Sequence, residues 1–399
     1  MPHSPGRPYL AIPGPSVVPD RVLAAMHRAA PNIYEGPLHD TVAGLIPDLR
    51  RVFRTAGDVA IYIANGHGAW EAALANTMPR GGKVLVVATG RFGHGWAEIA
   101  RRMGLAAEVL DFGKRAPSDP AELEERLRAD GAGEISAVLV THADTATTAL
   151  NDIPALRAAI DAAGHPALLM ADCIASLACD RFEMDAWGVD VTVAASQKGL
   201  MTPPGLGFVA FGARAAAARA GADMATAYWD WVPRTRPDMF YQYFGGTAPT
   251  HHIFGLREAL DMLVHEEGLE AAWSRHARLA AAVWAACAAW GREGRLELNI
   301  ADPAARSHAV TAVRLGAPDG TRLRRWLEAE AGVTLGIGLG MADPGDPAWH
   351  GFFRIAHMGH VNAHMTLGAL AAIDAGLKAL GIPHGPGAVE AATRAVAGS

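Results

Sequence analysis

The sequence contains very few lysines. It has 399 residues and 35 lysines and arginines, yet only four are lysines: Lys83, Lys114, Lys198 and Lys378. Lys198 is the unusual one, since it stands in the apolar run "VAASQKGLMTPPGLGFVAF" (193–211). Unlike arginine, lysine can lose its proton, and a neutral amine is a nucleophile. The scarcity of lysine therefore makes Lys198 a candidate for a chemical role.

Cysteine, basic charge and long apolar stretches are also scarce. The three cysteines have neither CxxC nor Cys/His metal spacing, so we expect no disulfide framework, no metal site and a reducing, cytoplasmic location. The formal net charge of -6 argues against nucleic-acid binding. No apolar run reaches the roughly 18 residues of a membrane span, and the amino-terminal segment does not read as a signal peptide. A globular protein is the remaining class, with 50% apolar and 19% charged residues.

Near-continuous apolar runs predict a mostly parallel sheet. Five such runs end in a polar residue or a turn, as strands buried on both faces do. They are 82–90, 135–144, 166–173, 189–196 and 205–212. Helical patterns such as "AWEAALANTM" and "DPAELEERLRAD" lie between strands, which favours an α/β layer fold.

The pattern changes after about residue 256. A long helical stretch, "LREALDMLVHEEGLEAAWSRHARLAAAVWAACAAWG", reads as one helix or two in sequence. Short strands such as "FFRIAHMG" and further helices come after it. We therefore predict an amino-terminal arm at 1–20, a large domain at 21–265 and a small α+β domain at 266–399.

Ligands in open α/β sheets bind beyond the carboxyl ends of the strands, so the residues just after each strand are candidates for a site. The segment "IANGHGAWEAAL" (63–74) places Gly66 and His67 just before a helix, where free N–H groups could hold a phosphate; a plain helix cap is the alternative. Phe92 could stack on a flat cofactor or belong to the core. Thr145 could hydrogen-bond a ring substituent or cap a helix.

Asp172 and Lys198 form the most informative pair. Asp172 ends one buried strand, and Lys198 comes after the next strand, 26 residues later. A buried carboxylate needs a partner, either an internal salt bridge, a helix cap or a ligand cation such as a protonated pyridine. A pyridoxal 5'-phosphate enzyme needs this combination, since the lysine forms the Schiff base and the aspartate keeps the ring nitrogen protonated.

These residues resemble the class V aminotransferases, especially the alanine–glyoxylate and serine–glyoxylate group. The similar segment runs from "IPGPSVVP" (12–19) to "FFRIAHMGHVNAHMTLGALAAI" (352–373), with Asp…Ser-Gln-Lys-Gly…Pro-Pro-Gly as its most specific block. The resemblance implies fold type I of the pyridoxal phosphate-dependent transferases: a large domain with a seven-stranded sheet, a small C-terminal domain, and a homodimer with shared sites. It also implies a ping-pong transfer of an amino group from a small amino acid (alanine, serine or similar) to glyoxylate or pyruvate.

The resemblance also implies a role for individual residues. Lys198 would be the Schiff-base lysine and proton shuttle, and Asp172 would pair with the pyridine nitrogen. The other implied cofactor contacts are Gly66, His67, Phe92, Thr145, Gln197 and Thr247. Thr247, in "GGTAPTHHIFGLREALD" (245–261), would reach the neighbouring subunit's phosphate. The family's tyrosine three residues before it is replaced by Phe244, with Tyr243 adjacent.

The substrate side is less defined. Arg354 matches the arginine that holds the substrate carboxylate, and an arginine inside an apolar strand needs an anionic partner, either the substrate or an internal Asp or Glu. Tyr34 and Glu35, in "NIYEGPLHD", fall where relatives line the substrate pocket. The segments "TGRFGHGW" and "DTATT" are also similar to ureidoglycine–glyoxylate aminotransferases.

Three other functions compete with amino transfer. A lyase of the same fold, such as a cysteine desulfurase, needs a nucleophilic cysteine on a mobile loop, and none of the three fits. A nicotinamide dehydrogenase needs a dinucleotide fingerprint, but "GIGLGM" (336–341) is followed by "ADPGDP" rather than a helix. A non-enzymatic binding protein would leave Asp172, Gln197, Lys198 and Arg354 without a use.

Overall fold

A computed structural model describes residues 3–398, which form two β-sheets surrounded by helices. The strands, in chain order, are β1 (Tyr9–Ala11), β2 (Asp58–Ala64), β3 (Lys83–Ala88), β4 (Ala106–Asp111), β5 (Ile135–Thr141), β6 (Leu168–Asp172), β7 (Val191–Ala195), β8 (Gly205–Phe211), β9 (Glu297–Leu298), β10 (Val310–Arg314), β11 (Val333–Ile337) and β12 (Phe352–Ala356).

The helices alternate with the strands of the large sheet and then gather around the small one. They are α1 (Asp20–Met26), α2 (Pro37–Phe53), α3 (Gly66–Thr77), α4 (Arg91–Arg102), α5 (Pro120–Arg128), α6 (Ile153–Ala162), α7 (Ala213–Ala218), α8 (Val232–Thr235), α9 (Thr250–Leu260), α10 (Leu269–Gly291), α11 (Asp319–Trp326), α12 (Ala363–Ala379) and α13 (Ala388–Ala397). Short 3-10 segments lie at Arg219–Gly221, Phe240–Phe244, Pro303–Ala305 and Pro347–Gly351, and π-helical turns at Asp261–Glu267 and Leu327–Ala331.

The large sheet has seven strands in the order β2-β8-β7-β6-β5-β3-β4. Its neighbours are parallel except at β8, which is antiparallel to both β2 and β7. The prediction of a mostly parallel seven-stranded sheet is therefore confirmed. The five strands predicted from apolar runs are the five inner ones. The two that these runs do not identify, β2 and β4, are the edge strands, and β4 is only partly buried.

Both faces of the large sheet are covered. Along β3, Leu85 and Val87 belong to the apolar core on one face, while Val84 and Val86 belong to the core on the other. This alternation results from the two-residue repeat of a strand. It explains why the run reads as continuously apolar. Parallel strands buried on both faces leave the carboxyl-terminal edge of the sheet as the place for polar groups.

The second sheet has the order β1-β11-β12-β10-β9 and packs with α10, α12 and α13 around its own core. β1, from the amino-terminal arm, pairs in parallel with β11. The long helical stretch after residue 256 is two helices in sequence, α9 and α10, with a π-helical turn between them and Gly268 at a positive φ of 84°. The domain boundaries at 20/21 and 265/266 stay predictions.

Candidate active site

Lys198 lies just beyond β7, at the carboxyl-terminal edge of the large sheet. The next residue is Gly199, where a Cβ would lie 2.1 Å from the carbonyl oxygen of Leu177. The amino-terminal arm closes over the lysine: the Ser16 hydroxyl donates to the Lys198 carbonyl (2.8 Å), and the Lys198 Nζ donates to the Pro13 carbonyl. Backbone and side chain of Lys198 are therefore both held.

Desolvation makes the Lys198 amine unusually easy to deprotonate. Burial, together with the positive charge of Arg354, lowers the pKa of Lys198 to about 8, while Asp172 opposes the shift. An amine with this pKa is neutral in about one molecule in ten at pH 7, far more often than an ordinary lysine, and the neutral form is the nucleophile or base. The other lysines differ: Lys83 begins β3 at the opposite edge, and Lys378 is an exposed partner of Asp374 on α12.

Asp172 is the last residue of β6 and is buried. Burial raises the pKa of Asp172 to about 7; the hydrogen bond from the Ile174 amide (2.8 Å) opposes the shift, and the neighbouring Asp144 reinforces it. Within residues 3–398 no Lys, Arg or His lies within ion-pair distance of its carboxylate. Asp172 therefore forms no internal salt bridge within these residues, although such a bridge was one of the expected alternatives.

Lys198 and Asp172 border one cavity of about 220 Å³. Seven of the predicted site residues line it: Gly66, His67, Phe92, Thr145, Asp172, Gln197 and Lys198. The other lining residues are Asn65, Trp70, Ala143, Ile174 and Ala175. The structure thus brings together residues that come after five different strands, β2, β3, β5, β6 and β7, as the rule for open α/β sheets predicts.

Gly66 and His67 begin α3 at one end of this cavity. The Asn65 side chain caps the helix, accepting from the amides of His67 (3.1 Å) and Gly68 (3.4 Å). A Cβ on Gly66 would lie 2.3 Å from Ile174, so a side chain there would displace a wall of the cavity. The expected helix cap is therefore present, and it coexists with a helix N-terminus that opens into a cavity.

Phe92 provides an apolar face in the cavity, and Gln197 provides a polar atom without a hydrogen-bond partner. Phe92 is half-buried, with its ring centroid 6.4 Å from that of Trp70. The Gln197 Oε1 atom is buried and has no hydrogen-bond partner in the described part of the chain. Because a buried polar atom without a partner is costly, the Gln197 Oε1 is available to accept a hydrogen bond from a group in this cavity.

Arg354 lies in the middle of β12, opposite Ala312 and Gly336. It is buried, its Nε donates to the Ile337 carbonyl (2.7 Å), and its Nη1 donates to the Thr145 carbonyl (2.6 Å). Burial lowers the pKa of Arg354 to about 10, and Asp144 opposes the shift. Between residues 3 and 398 no carboxylate lies within 4.0 Å of its guanidinium. The expected internal ion pair is absent from this part of the chain, which leaves a charge available for an external anion.

Arg354 does not itself line the Lys198 cavity; its Nη1 bonds the carbonyl of the lining residue Thr145. Three other predicted residues lie away from the cavity. Tyr34 is 85% exposed, and Glu35 and Thr247 are also exposed. Tyr34 and Thr247 border a separate hollow of about 500 Å³, beside Tyr243. Within one chain, therefore, the structure does not bring these residues to the cavity.

Sequence reasoning missed several residues that shape the site. Trp70 could have been found, since it lies three positions after His67 on α3 and their rings meet edge to face (4.8 Å between centroids). Pro13 and Ser16 lie in the segment 12–19 where the family resemblance begins, but nothing local connects them with Lys198, which is 182 to 185 residues away in the sequence. Asp144 is one of several polar residues after β5, and nothing in the sequence distinguishes it from them.

Within residues 3–398 the groups that a lyase with a nucleophilic cysteine or a nicotinamide dehydrogenase would need are not found. All three cysteines are buried and unpaired, and burial raises the pKa of Cys179 and of Cys287 to about 12 and that of Cys173 well above its usual value. No helix comes directly after β11, where a dinucleotide fingerprint would need one, in the described chain. In the described residues, no helix is long and apolar enough to cross a membrane, and no three His, Cys, Asp or Glu side chains cluster as metal ligands would.

The large domain has a mostly parallel seven-stranded sheet, with a lysine beyond one strand and an aspartate at the end of the neighbouring strand. These features define a fold type I transferase. The chain belongs to the class V aminotransferases: residues 9–350 match that family, Aminotransferase class-V, whose members depend in general on pyridoxal phosphate.

Three proteins named as glyoxylate aminotransferases are similar to nearly the whole chain. The chain is similar to the serine–glyoxylate aminotransferase of Methylorubrum extorquens, with 38% identity over 97% of this chain and 95% of the relative. It is 34% identical to the L-aspartate–glyoxylate aminotransferase of Paracoccus denitrificans, over 93% and 91% of the two chains. The crystal structure of the ureidoglycine–glyoxylate aminotransferase of Bacillus subtilis superposes with a TM-score of 0.87 at 25% identity, covering 98% of both chains.

Proposed function

We propose that this aminotransferase binds pyridoxal 5'-phosphate and moves the amino group of a small amino acid, such as alanine or serine, to glyoxylate or pyruvate. The observation that carries the proposal is the single cavity that Lys198 and Asp172 share at the carboxyl edge of the sheet. The serine–glyoxylate relative supports the same substrate class.

The residues around the cavity fit the cofactor. The N-terminus of α3 at Gly66 and His67 brings a positive dipole end to the cavity, where a phosphate would bind, while the His67 amide stays with its Asn65 cap. The unpaired Gln197 Oε1 is an acceptor for a donor group of the cofactor. Asp172 would pair with the pyridine nitrogen, and that cation would return the raised pKa of this carboxyl toward its ordinary value. Phe92 would lie against the ring, and Thr145 would bond a ring substituent.

In this proposal, each residue has one task in the transfer. The bound cofactor supplies an electron sink that makes the substrate α-proton removable. The Lys198 Nζ takes that proton and returns it, a role that suits an amine whose pKa is about 8. Asp172 holds a negative charge in place, and Arg354 holds the substrate carboxylate with the donors that its two carbonyl contacts leave free.

We also propose that the active unit is a cytoplasmic homodimer with shared sites. Thr247 and Tyr34 are exposed and lie together on one side of the chain, as residues that serve a neighbouring subunit would. In the dimer, Thr247 would contact the partner's cofactor phosphate, and Tyr34 and Glu35 would line the substrate entrance.

A ureidoglycine–glyoxylate transfer is the second candidate, favoured by the structural similarity to the Bacillus subtilis enzyme. A carbon–sulfur lyase is disfavoured because each cysteine is buried and has a raised pKa.

Single half-reactions test the proposal and separate the candidates. Purified protein loaded with pyridoxal phosphate is mixed in turn with alanine, serine, aspartate and ureidoglycine, and the visible absorbance of the cofactor is monitored. Alanine or serine should remove the absorbance, and glyoxylate or pyruvate should restore it. If only ureidoglycine acts, the second candidate is correct. If no amino acid changes the spectrum, the chain does not carry out amino transfer.

A further inference from the structure

We infer that Asp144 is a positioning residue with two effects. It places Phe92 against the cofactor ring, and it places Arg354 so that the guanidinium binds the substrate carboxylate. The inference rests on the proposed function. Asp144 does not line the cavity; it acts through the backbone amide of Phe92, which does, and through the amides of Ala146 and Thr147, which follow the lining residue Thr145.

The Asp144 carboxylate joins two segments of the site. It is fully buried just beyond β5. Its Oδ2 accepts from the amide of Phe92 (2.8 Å), and its Oδ1 accepts from the amides of Ala146 (2.8 Å) and Thr147 (3.4 Å). Because each oxygen serves a different segment, one side chain fixes the start of α4 relative to the turn that carries Thr145.

The same turn holds Arg354. The carbonyl of Thr145 accepts from the Arg354 Nη1 (2.6 Å), so a displacement of the turn would displace the guanidinium. Asp144 also attracts Arg354 electrostatically without forming an ion pair. Burial raises the pKa of Asp144, while the three amides and the charge of Arg354 act in the opposite direction, toward the carboxylate form.

The surroundings require an aspartate in this position. A carboxylate can accept at both oxygens, whereas an asparagine must turn its NH₂ either toward the Phe92 amide or toward the amides of Ala146 and Thr147, all of which now donate. The space is also closed: a Cβ on Gly90 would lie 2.6 Å from the Asp144 Cγ and 2.7 Å from Thr147. A change at Asp144 or Gly90 should therefore disturb both segments.

The test compares Asp144→Asn with the wild type in two assays. Cofactor affinity and the circular dichroism of the bound cofactor report on the Phe92 side. The KM for the amino donor, and the preference for that donor over the corresponding amine without a carboxylate, report on the Arg354 side. We expect the cofactor Kd and the donor KM each to rise about 10- to 100-fold, since a charge-assisted hydrogen-bond network is broken.

Asp190→Asn is the matched control. Asp190 is also buried and accepts from a backbone amide, that of Leu169 (2.8 Å), and from Arg214 (2.9 Å), but it precedes β7 at the opposite edge of the sheet. The Asp190→Asn substitution should lower the thermal stability of the protein. It should leave the cofactor spectrum and the donor preference of the folded protein unchanged.

Gly90→Ala gives a second measurement if Asp144→Asn fails to fold. The added methyl group presses on Asp144 and Thr147 without removing any charge, so both assays should shift in the same direction as with Asp144→Asn. The inference is overturned if either folded variant moves only one of the two assays, or neither. If the wild type itself converts no amino donor, the proposed function has failed, which is a separate result.

Discussion

The side-chain amine of Lys198 donates a hydrogen bond to the backbone carbonyl of Pro13, a residue 185 positions earlier in the sequence. The lysine that is proposed to do the chemistry is thus held by the amino-terminal arm. Gly14 belongs to the same contact, since a Cβ there would lie 2.3 Å from the Lys198 Nζ. The arm is therefore part of the candidate active site.

Lys198→Ala should abolish the covalent attachment of the cofactor. Wild-type protein should be yellow as purified, and borohydride reduction should fix the cofactor to Lys198, because this lysine alone borders the cavity in the described chain. Peptide mass spectrometry after reduction locates the label. Lys114→Ala, which changes a lysine that bonds the Met341 carbonyl instead, is the control and should keep the label. A label on any other lysine would refute the assignment.

Asp172→Asn should fold and bind the cofactor but slow turnover by orders of magnitude, because an amide cannot stabilise a pyridinium charge. The half-reaction rate with alanine or serine measures the loss. Turnover close to that of the wild type would mean that Asp172 has no such role.

The contribution of Asp172 to the stability of the cofactor-free protein should fall as the pH rises from about 4 to about 7. Asp172 has a pKa of about 7 in the fold against an ordinary value of 3.8, so the folded state binds more protons across this window. The contribution is present at low pH and disappears as the pH passes 7. Melting temperatures of wild type and Asp172→Asn, compared at several pH values, isolate the effect: the difference between the two should change across the window. Parallel curves would show that Asp172 titrates normally.

Arg354→Lys should be badly impaired and Arg354→Ala more so, with both proteins still yellow. Removing the guanidinium should cost about 2–5 kcal/mol of substrate binding, by analogy with truncating one side of a buried charge pair. The rate constant should fall too, because the substrate would be misoriented. The measurement is the half-reaction rate against the concentration of an amino acid and of its amine without the carboxylate.

Arg314→Ala is the control for Arg354, since Arg314 lies on the neighbouring strand β10 and pairs with Glu297. It should keep the wild-type preference for the acid. If Arg354→Ala discriminates as well as the wild type, the carboxylate is bound elsewhere.

Two inactive variants should restore activity together if the sites are shared. Lys198→Ala and Thr247→Trp, refolded as a mixture, should form some dimers with one intact site and regain part of the wild-type activity. Each variant refolded alone is the control. Sedimentation that finds a fully active monomer would contradict the shared site.

Residues at the ends of strands in the large sheet could be predicted from the sequence. Asp172 and Lys198 lie at the ends of neighbouring parallel strands, and a parallel sheet brings such ends to one edge whatever the loops do. Gly66, Phe92 and Thr145 obey the same rule, and the structure places all of them around one cavity.

Contacts made across long sequence distances could not be predicted in this way. The bonds from Pro13 and Ser16 to Lys198, and from Arg354 to Thr145, depend on how the arm and the second sheet pack on the first. No local periodicity encodes that packing. The edge strand β4 was not predicted for a simpler reason: its outer side is open, and Glu108 interrupts the apolar run. The roles of Tyr34 and Thr247 stay predictions, since they need a second chain.

The pairing of β1 with β11 sets a limit on when this site can be assembled during synthesis. The arm reaches Lys198 from a strand that is held by residues 333–335, so a ribosome must translate most of the message before the arm has its partner. Nascent chains that stop after the large sheet should contain the lysine, the aspartate and the α3 helix terminus, but not the finished surroundings of the amine. The new polypeptide should therefore bind the cofactor in its final surroundings only late, after most of the chain has been synthesised.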